Sequence, residues 1–203
     1  MLAILKLWTH RRMSNAFRAW CVHSQAHLHR TRLSERVEEA RRELQEDKDF
    51  ELQLIVTGMH LSKEFGLTYR VIEKDFKIDK KINMYLSSDT SIGILKSMSI
   101  AQTSFARAYG KLRPDIIILL GDRYEIFSAA TAAMISKIPI AHIHGGEITQ
   151  GSWDDCIRHC ISKMAHLHFT ATEEYKNRVI QLGEKPNKVF NVGGMGIENI
   201  KKL

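Results

Sequence analysis

Proline and cysteine are scarce in this 203-residue chain, three of each, and neither forms a pattern that could crosslink a scaffold. Cys21, Cys156 and Cys160 make an odd set without a C-x-x-C pair. That argues against a disulfide framework or zinc ribbon and for a reducing compartment, with the cytoplasm the simplest setting. No run approaches the ~20 apolar residues that cross a bilayer. Residues 1–8 are too short for a secretory h-region, and basic residues follow them rather than precede them, so neither a transmembrane segment nor a signal peptide is expected. Carboxylates are missing from residues 1–34, which hold six cations: Lys6, Arg11, Arg12, Arg18, Arg30 and Arg32. The chain's 30 Lys and Arg against 23 Asp and Glu therefore describe a basic tail, and the remaining 24 cations nearly balance the 23 anions. An Arg-rich, acid-poor start leaves organelle import open. A nucleic-acid role would rest on that tail alone, without a stacking platform or groove-reading pattern, so no specific nucleic-acid partner is expected.

What is present has ordinary globular proportions, 44% hydrophobic and 26% charged, enough to bury one core and too short for two nucleotide-type domains. Residues 1–46 contain neither glycine nor proline and end in SERVEEARRELQED, which reads as a basic helical extension with Ser34 as an N-cap. From residue 47 to 203 the texture changes to alternating strands and helices. Strands are expected at 51–58 and 115–122, at 137–144, at 167–172 and from 188, with a possible short one in KIDKKINM. Helices are expected at 61–75 (after a loop), 90–112, 123–136, 153–165 and 172–183, with another after Gly196. DIIILLGD is the clearest strand, since a continuous apolar run ending in Gly-Asp suits a strand buried on both faces of a parallel sheet. The fold class is α/β: a doubly wound, Rossmann-like parallel sheet with right-handed crossovers.

In such sheets the ligand crevice lies beyond the carboxyl ends of the strands. Three polar clusters fall there: Gly121-Asp122-Arg123, His142-Ile143-His144-Gly145-Gly146-Glu147, and Asn191-Val192-Gly193-Gly194. Gly145 and Gly146 would let backbone N–H groups approach a ligand, and the next helix would offer its positive end to phosphate; the plainer reading is a tight turn. In the segment Trp153 to His159, Asp154 and Arg158 share one helical face at i and i+4, and Asp155 and His159 share the next. A capped helix with a surface ion pair accounts for these residues singly. Convergence of Asp122, His144, Glu147 and Asp154 on one rim instead suggests carboxylates whose pKa values are driven apart, one acid and one base. His142, His144, Glu147 and His159 could be taken as metal ligands, but their spacing is not that of a helical H-E-x-x-H site, and no metal is expected. His166 and His168 read as ordinary half-buried histidines, and Ser152 lacks a nucleophile elbow.

Four stretches, FELQLIVTGMHLSKEFGLTY, RPDIIILLGDRYEIFSAATAAMISKIPIAHIHGGE, DDCIRHCISKMAHLHFTATEEYKNRVIQLGE and KVFNVGGMGIENI, together resemble the amino-terminal domain of the hydrolysing UDP-N-acetylglucosamine 2-epimerases. The similarity is collinear from about residue 48 to the end. It implies one half of a two-domain glycosyltransferase-B-like fold acting on UDP-GlcNAc, or a related nucleotide sugar, without metal or other cofactor. The implied reaction eliminates UDP after abstraction of the C2 proton and then hydrates the glycal, giving N-acetylmannosamine for sialic-acid-type sugars. Carried onto this chain, Asp122, Glu147 and Asp154 are the acid and base candidates, and His144, Gly145, Gly146, Arg158 and Arg123 the substrate-binding ones. Some relatives have an acidic residue where His144 stands, which leaves the division of labour between His144 and Glu147 open. The resemblance also implies homo-oligomers.

Two departures from the family pattern follow. No opening strand with a Gly-Thr-Arg loop precedes EDKDFELQLIV, so the sheet is expected to have an exposed edge at 51–58, and activity of a chain without the second domain is in question. Leu5-x-x-Trp8 and Phe17-x-x-Trp20 repeat at twelve residues in the basic segment. That pattern resembles Trp-containing helices that bind centrin or calmodulin-type EF-hand proteins. It supports an alternative, a non-catalytic binding module whose residues 1–30 engage such a partner or a membrane surface.

Overall fold

A computed structural model describes the backbone of Leu2–Leu7 and Phe50, and residues 51–85 and 90–193 in full. Seven strands form one sheet in the order β3-β2-β1-β4-β5-β6-β7. In chain order these are β1 (Leu2–Leu7), β2 (Phe50–Thr57), β3 (Lys80–Ile82), β4 (Ile116–Leu120), β5 (Ile140–Ile143), β6 (Leu167–Thr170) and β7 (Val189–Asn191). The helices are α1 (Tyr69–Asp75), α2 (Ser91–Leu112), α3 (Tyr124–Ile135), α4 (Asp154–Met164) and α5 (Glu173–Gln181).

Local chemistry explains the boundaries. Thr90 caps α2 by accepting the Gly93 amide at 3.2 Å, and Arg113, left-handed at φ 48°, ends it ahead of Pro114. Thr172 caps α5 through the Tyr175 amide at 3.2 Å, with Glu173 and Glu174 in the first turn where the helix dipole favours anions. Alternation along β2 builds two cores. Ile55 packs with Phe105 and Tyr109 of α2 and with Ile117 and Leu119 of β4, while Leu54 and Val56 meet Ile72 of α1. Each fully buried aliphatic side chain of this kind stabilises the fold by roughly 1.5–3 kcal/mol.

The parallel α/β architecture is as the alternating pattern implies, with one correction. Residues 2–7 form a strand rather than part of a helix, and it lies in the interior of the sheet. β1 pairs antiparallel with β2 (Leu2 opposite Ile55, Leu7 opposite Phe50) and antiparallel with β4 (Leu2 opposite Leu119, Leu5 opposite Ile116). All other neighbours in the sheet are parallel pairs. Residues 51–57 are therefore not an exposed edge, because β2 has β1 on one side and β3 on the other. The physical reason is that LAILKL is a six-residue apolar segment able to satisfy ladder bonds on both sides, and a strand slot selects on burial and hydrogen bonding rather than on chain direction. The rest of the proposed helical extension, including Ser34, the second Trp repeat and Cys21, lies outside the described residues, as does the helix expected after Gly196. Leu5 of the first repeat sits in β1. No helix among the described residues is long and apolar enough to cross a membrane.

Candidate active site

Each site side chain is delivered by a strand end or by the helix that follows it. β4 is followed by Gly121, whose φ of 81° turns the chain so that Asp122 leaves the sheet. β5 is followed by His144, itself left-handed at φ 62°, and the loop behind it carries Glu147 and Thr149. α4 presents Arg158 one turn in. Arg158 is 6% exposed and is the hub. Its Nη1 donates to Glu147 Oε2 at 2.9 Å, its Nη2 to Thr149 Oγ1 at 2.9 Å and also to Asp122 Oδ2. One guanidinium thus joins two carboxylates that are 25 residues apart in sequence, the fork geometry that suits arginine.

His144 Nδ1 is hydrogen-bonded to Glu147 Oε1, and its Nε2 is buried with no partner among the described residues. Because a carboxylate only accepts, Nδ1 carries the proton and Nε2 in the neutral ring is a lone-pair base. Burial pushes the Glu147 carboxyl upward, but the hydrogen bond from His144 and the charge and hydrogen bond of Arg158 outweigh it and hold Glu147 below the usual carboxylate range. Glu147 is accordingly ionised at neutral pH.

The first two polar clusters meet as the strand-end rule implies. The third does not join them: the contacts of Asn191 run to Glu173 Oε2 at 3.3 Å and to the Gly193 amide at 3.3 Å, and Gly194 lies outside the described residues. Asp154 is not the partner of Arg158 that i, i+4 spacing implies. Its Oδ2 accepts the Ser152 hydroxyl at 2.8 Å, because Arg158 is turned inward to Asp122 and Glu147. Asp155 and His159 do pair, at 3.6 Å, and Asp155 also accepts the Thr149 amide at 3.1 Å. Arg123 stands beside the site with its Nε on Glu125 at 3.0 Å and its guanidinium over the Tyr124 ring, which stacks in turn on Trp153 at 6.3 Å.

Packing accounts for both glycines of the loop. A Cβ on Gly145 would lie 3.0 Å from Ser162 Oγ, and one on Gly146, at φ 78°, would lie 2.3 Å from the Tyr175 carbonyl of α5. His142 is unavailable to a metal, since both ring nitrogens are used inside the fold; among the described residues no group of three or more His, Cys, Asp or Glu could hold an ion. His168 is fully buried against Glu184 at 3.2 Å, more enclosed than a half-buried reading allows.

Sequence reasoning missed Glu125 and Thr149. Glu125 is a buried carboxylate in the otherwise apolar start of α3, and its side chain fills the space above Gly58 at the end of β2. A charged residue interrupting YEIFSAATAAMI two positions after Arg123 was the available signal. Thr149 gave none.

The family model described as UDP-N-acetylglucosamine 2-epimerase matches residues 42–203. Among similar proteins, a GDP/UDP-N,N'-diacetylbacillosamine 2-epimerase (hydrolyzing) of Campylobacter jejuni is 52% identical over 161 residues, covering 79% of this chain and 42% of that protein. The polysialic acid biosynthesis protein P7 of Escherichia coli is 48% identical over 79% of this chain and 41% of its own length. The crystal structure of a UDP-GlcNAc 2-epimerase from Neisseria meningitidis bound to UDP-GlcNAc superimposes with a TM-score of 0.65 at 23% identity, covering 78% of this chain and 44% of that one, a likeness of fold. The chain spans about two fifths of the length of these relatives.

Proposed function

The chain belongs to the UDP-N-acetylglucosamine 2-epimerase family, and from that premise we propose that it carries the sugar-reacting half of a hydrolysing 2-epimerase. The proposed substrate is a UDP-linked 2-acetamido hexose, in the first instance UDP-GlcNAc, converted to N-acetylmannosamine and UDP. The single observation that carries this reading is the bridge from Asp122 through Arg158 to Glu147, with His144 bonded to the same Glu147, all at the carboxyl ends of β4 and β5.

Elimination needs a base for C2–H and a proton for the departing oxygen, and hydration of the glycal needs the reverse. Glu147, kept anionic, is assigned the task of holding His144 in its Nδ1–H form and meeting positive charge that builds on the ring, which makes His144 Nε2 the proposed base. This divides the labour between the two: imidazole for the proton, carboxylate for orientation. Asp154 makes no ion pair among the described residues, and with Asp122 it is assigned proton transfer to and from the sugar oxygens. Among the described residues, the Lys or Arg side chains paired with the carboxylates Asp122, Glu125 and Glu147 are Arg123 and Arg158, and Asp154 adds a further carboxylate. A rim with that surplus of carboxylates suits a neutral hexose better than a diphosphate, so the UDP charge is assigned to residues beyond this rim. Homo-oligomer assembly stays part of the proposal on family grounds.

A second reading of the sugar has its own support. Relatives named for UDP-N,N'-diacetylbacillosamine are 52% and 39% identical, whereas one named UDP-N-acetylglucosamine 2-epimerase is 34% identical. With the polysialic acid biosynthesis protein P7 between them at 48%, it is the 52% relative that supports a 2,4-diacetamido sugar. The test is UDP release, with deuterium incorporation at C2 in heavy water, from both nucleotide sugars. It is run with the full chain and with the full chain grafted in place of the matching stretch of the Campylobacter relative. Release with C2 deuteration is expected, faster from the diacetamido sugar if the second reading holds. A folded graft that releases UDP from neither overturns the proposal.

A further inference from the structure

We propose that His142 is a positioning residue of this site: its buried ring ties the turn that carries Asp122 to the helix that carries Arg158, and so sets where those two groups meet. The inference deepens the reading above and rests on it for its kinetic consequence, while its geometric content stands on the contacts alone.

His142 lies in the middle of β5 with none of its surface exposed. Its Nε2 sits 2.9 Å from the Gly121 carbonyl and its Nδ1 3.1 Å from Ser162 Oγ. A carbonyl oxygen only accepts, so Nε2 bears the hydrogen; Nδ1 then accepts, and the Ser162 hydroxyl donates. Of the two tautomers of the neutral ring, only this one satisfies both bonds. Burial agrees with a neutral ring, pushing the imidazole down to about 3 despite the Gly121 carbonyl, which pulls the other way.

Each end of this clip is next to a site residue. Gly121 immediately precedes Asp122, and its left-handed turn is gripped twice by β5: the carbonyl by His142, and the amide by the Ile143 carbonyl at 3.2 Å. Ser162 lies four residues beyond Arg158 on α4, so both project from one side of the helix. Fastening Ser162 to His142 fixes the roll of α4 about its axis, and with it the aim of Arg158. Gly145 closes the arrangement. A Cβ there would lie 3.0 Å from Ser162 Oγ and 3.2 Å from His142 Nδ1, so the loop leading to Glu147 is laid directly against the same pair. Asp122, Arg158 and Glu147 come from three segments, and His142 with Ser162 touches all three. An apolar side chain would fill this volume at lower desolvation cost, so volume alone does not explain an imidazole at a fully buried position.

Three variants separate geometry from volume. Gln at position 142 keeps a donor where Nε2 stands, Asn keeps a polar atom where Nδ1 stands, and Phe keeps the volume with no polar atom. In the full chain, nuclear magnetic resonance should show the His142 ring as the Nε2–H tautomer. The Asp122 and Glu147 side-chain carbons and the Arg158 guanidinium should shift in His142→Asn and His142→Phe, and stay near the parent in His142→Gln. UDP release should fall about 10- to 100-fold in kcat with KM nearly unchanged for Asn and Phe, the range expected of a site displaced by about 1 Å, and within about threefold of the parent for Gln. A parent that releases no UDP would strike the proposed function and leave the spectroscopic result to decide on His142. An Nδ1–H tautomer, or equal shifts in the Gln and Phe variants of folded protein, overturns the positioning role. So does unchanged kcat in both Asn and Phe.

Discussion

The β4 to β7 half of the sheet and the β3-β2-β1 half are built on different logic, although they share a core. From β4 onward each strand is parallel to the previous one and reached by a single helix, so sequence order and spatial order coincide. In the other half the interior strand β1 comes from 42 residues upstream of β2 and runs opposite to both neighbours. A central slot in a parallel sheet imposes apolar faces and two hydrogen-bonded edges, whereas direction follows from where the connections can go. All candidate catalytic groups belong to the first half.

The largest expected effect tests how tightly that first half is closed. Gly146→Ala must force a Cβ into the α5 backbone at φ 78°, and about 3 kcal/mol of stability should be lost in urea unfolding. Gly121→Ala meets no atom of the described residues within 4 Å and should lose only about 1 kcal/mol, the cost of its φ of 81° alone. Equal losses would mean that Gly146 is not packed as described. The second test breaks the other half. Leu5→Pro removes a ladder donor from an interior strand and leaves its acceptor unpaired, for about 2 kcal/mol. Hydrogen exchange should quicken first in β2, before β5 and β6. A loss below about 0.5 kcal/mol would show that β1 does not hold its slot in solution.

The smallest effect is in pH dependence, and it too divides the halves. Burial holds His142 and His168 below the ordinary histidine range, so the unfolded chain takes up protons that the folded one refuses. Their contribution is complete above pH 6.5 and drains as pH falls toward the folded value, about 3 for His142, with Arg158, His144 and His168 opposing charge on that ring. Glu147, depressed from 4.5, contributes above that value and loses its share as pH falls through its folded pKa. Stability should drop by about 1 kcal/mol for His142 between pH 6.5 and 5.5. His142→Gln should flatten that slope while leaving the contributions of His168 and Glu147. A slope unchanged in the variant would remove His142 as its source.

Much of this was legible in the residues. DIIILLGD and KIPIAHIH announced β4 and β5 because strands buried on both faces have few polar residues, and the strand-end rule then brought Asp122 and Glu147 to one place. Arg158 was visible as a charge partner, but its choice was not: helical spacing offers Asp154, and only tertiary packing turns the guanidinium inward. LAILKL was legible as apolar and misread as helical, since six residues without a turn signal fit either state and the slot they fill is created by strands far along the chain. Thr149 carries no local pattern at all. His142 was noticed as a possible ligand; that both its nitrogens are spent internally depends on Gly121 and Ser162, which only the fold brings near.

Because β1 runs against its neighbours, the two poles of the sheet have different tenants. Leu2 stands opposite Leu119, at the pole where Asp122 emerges, and Leu7 stands opposite Phe50, at the far one. The chain therefore leaves β1 and enters β2 at that far pole, away from the one where Asp122 emerges.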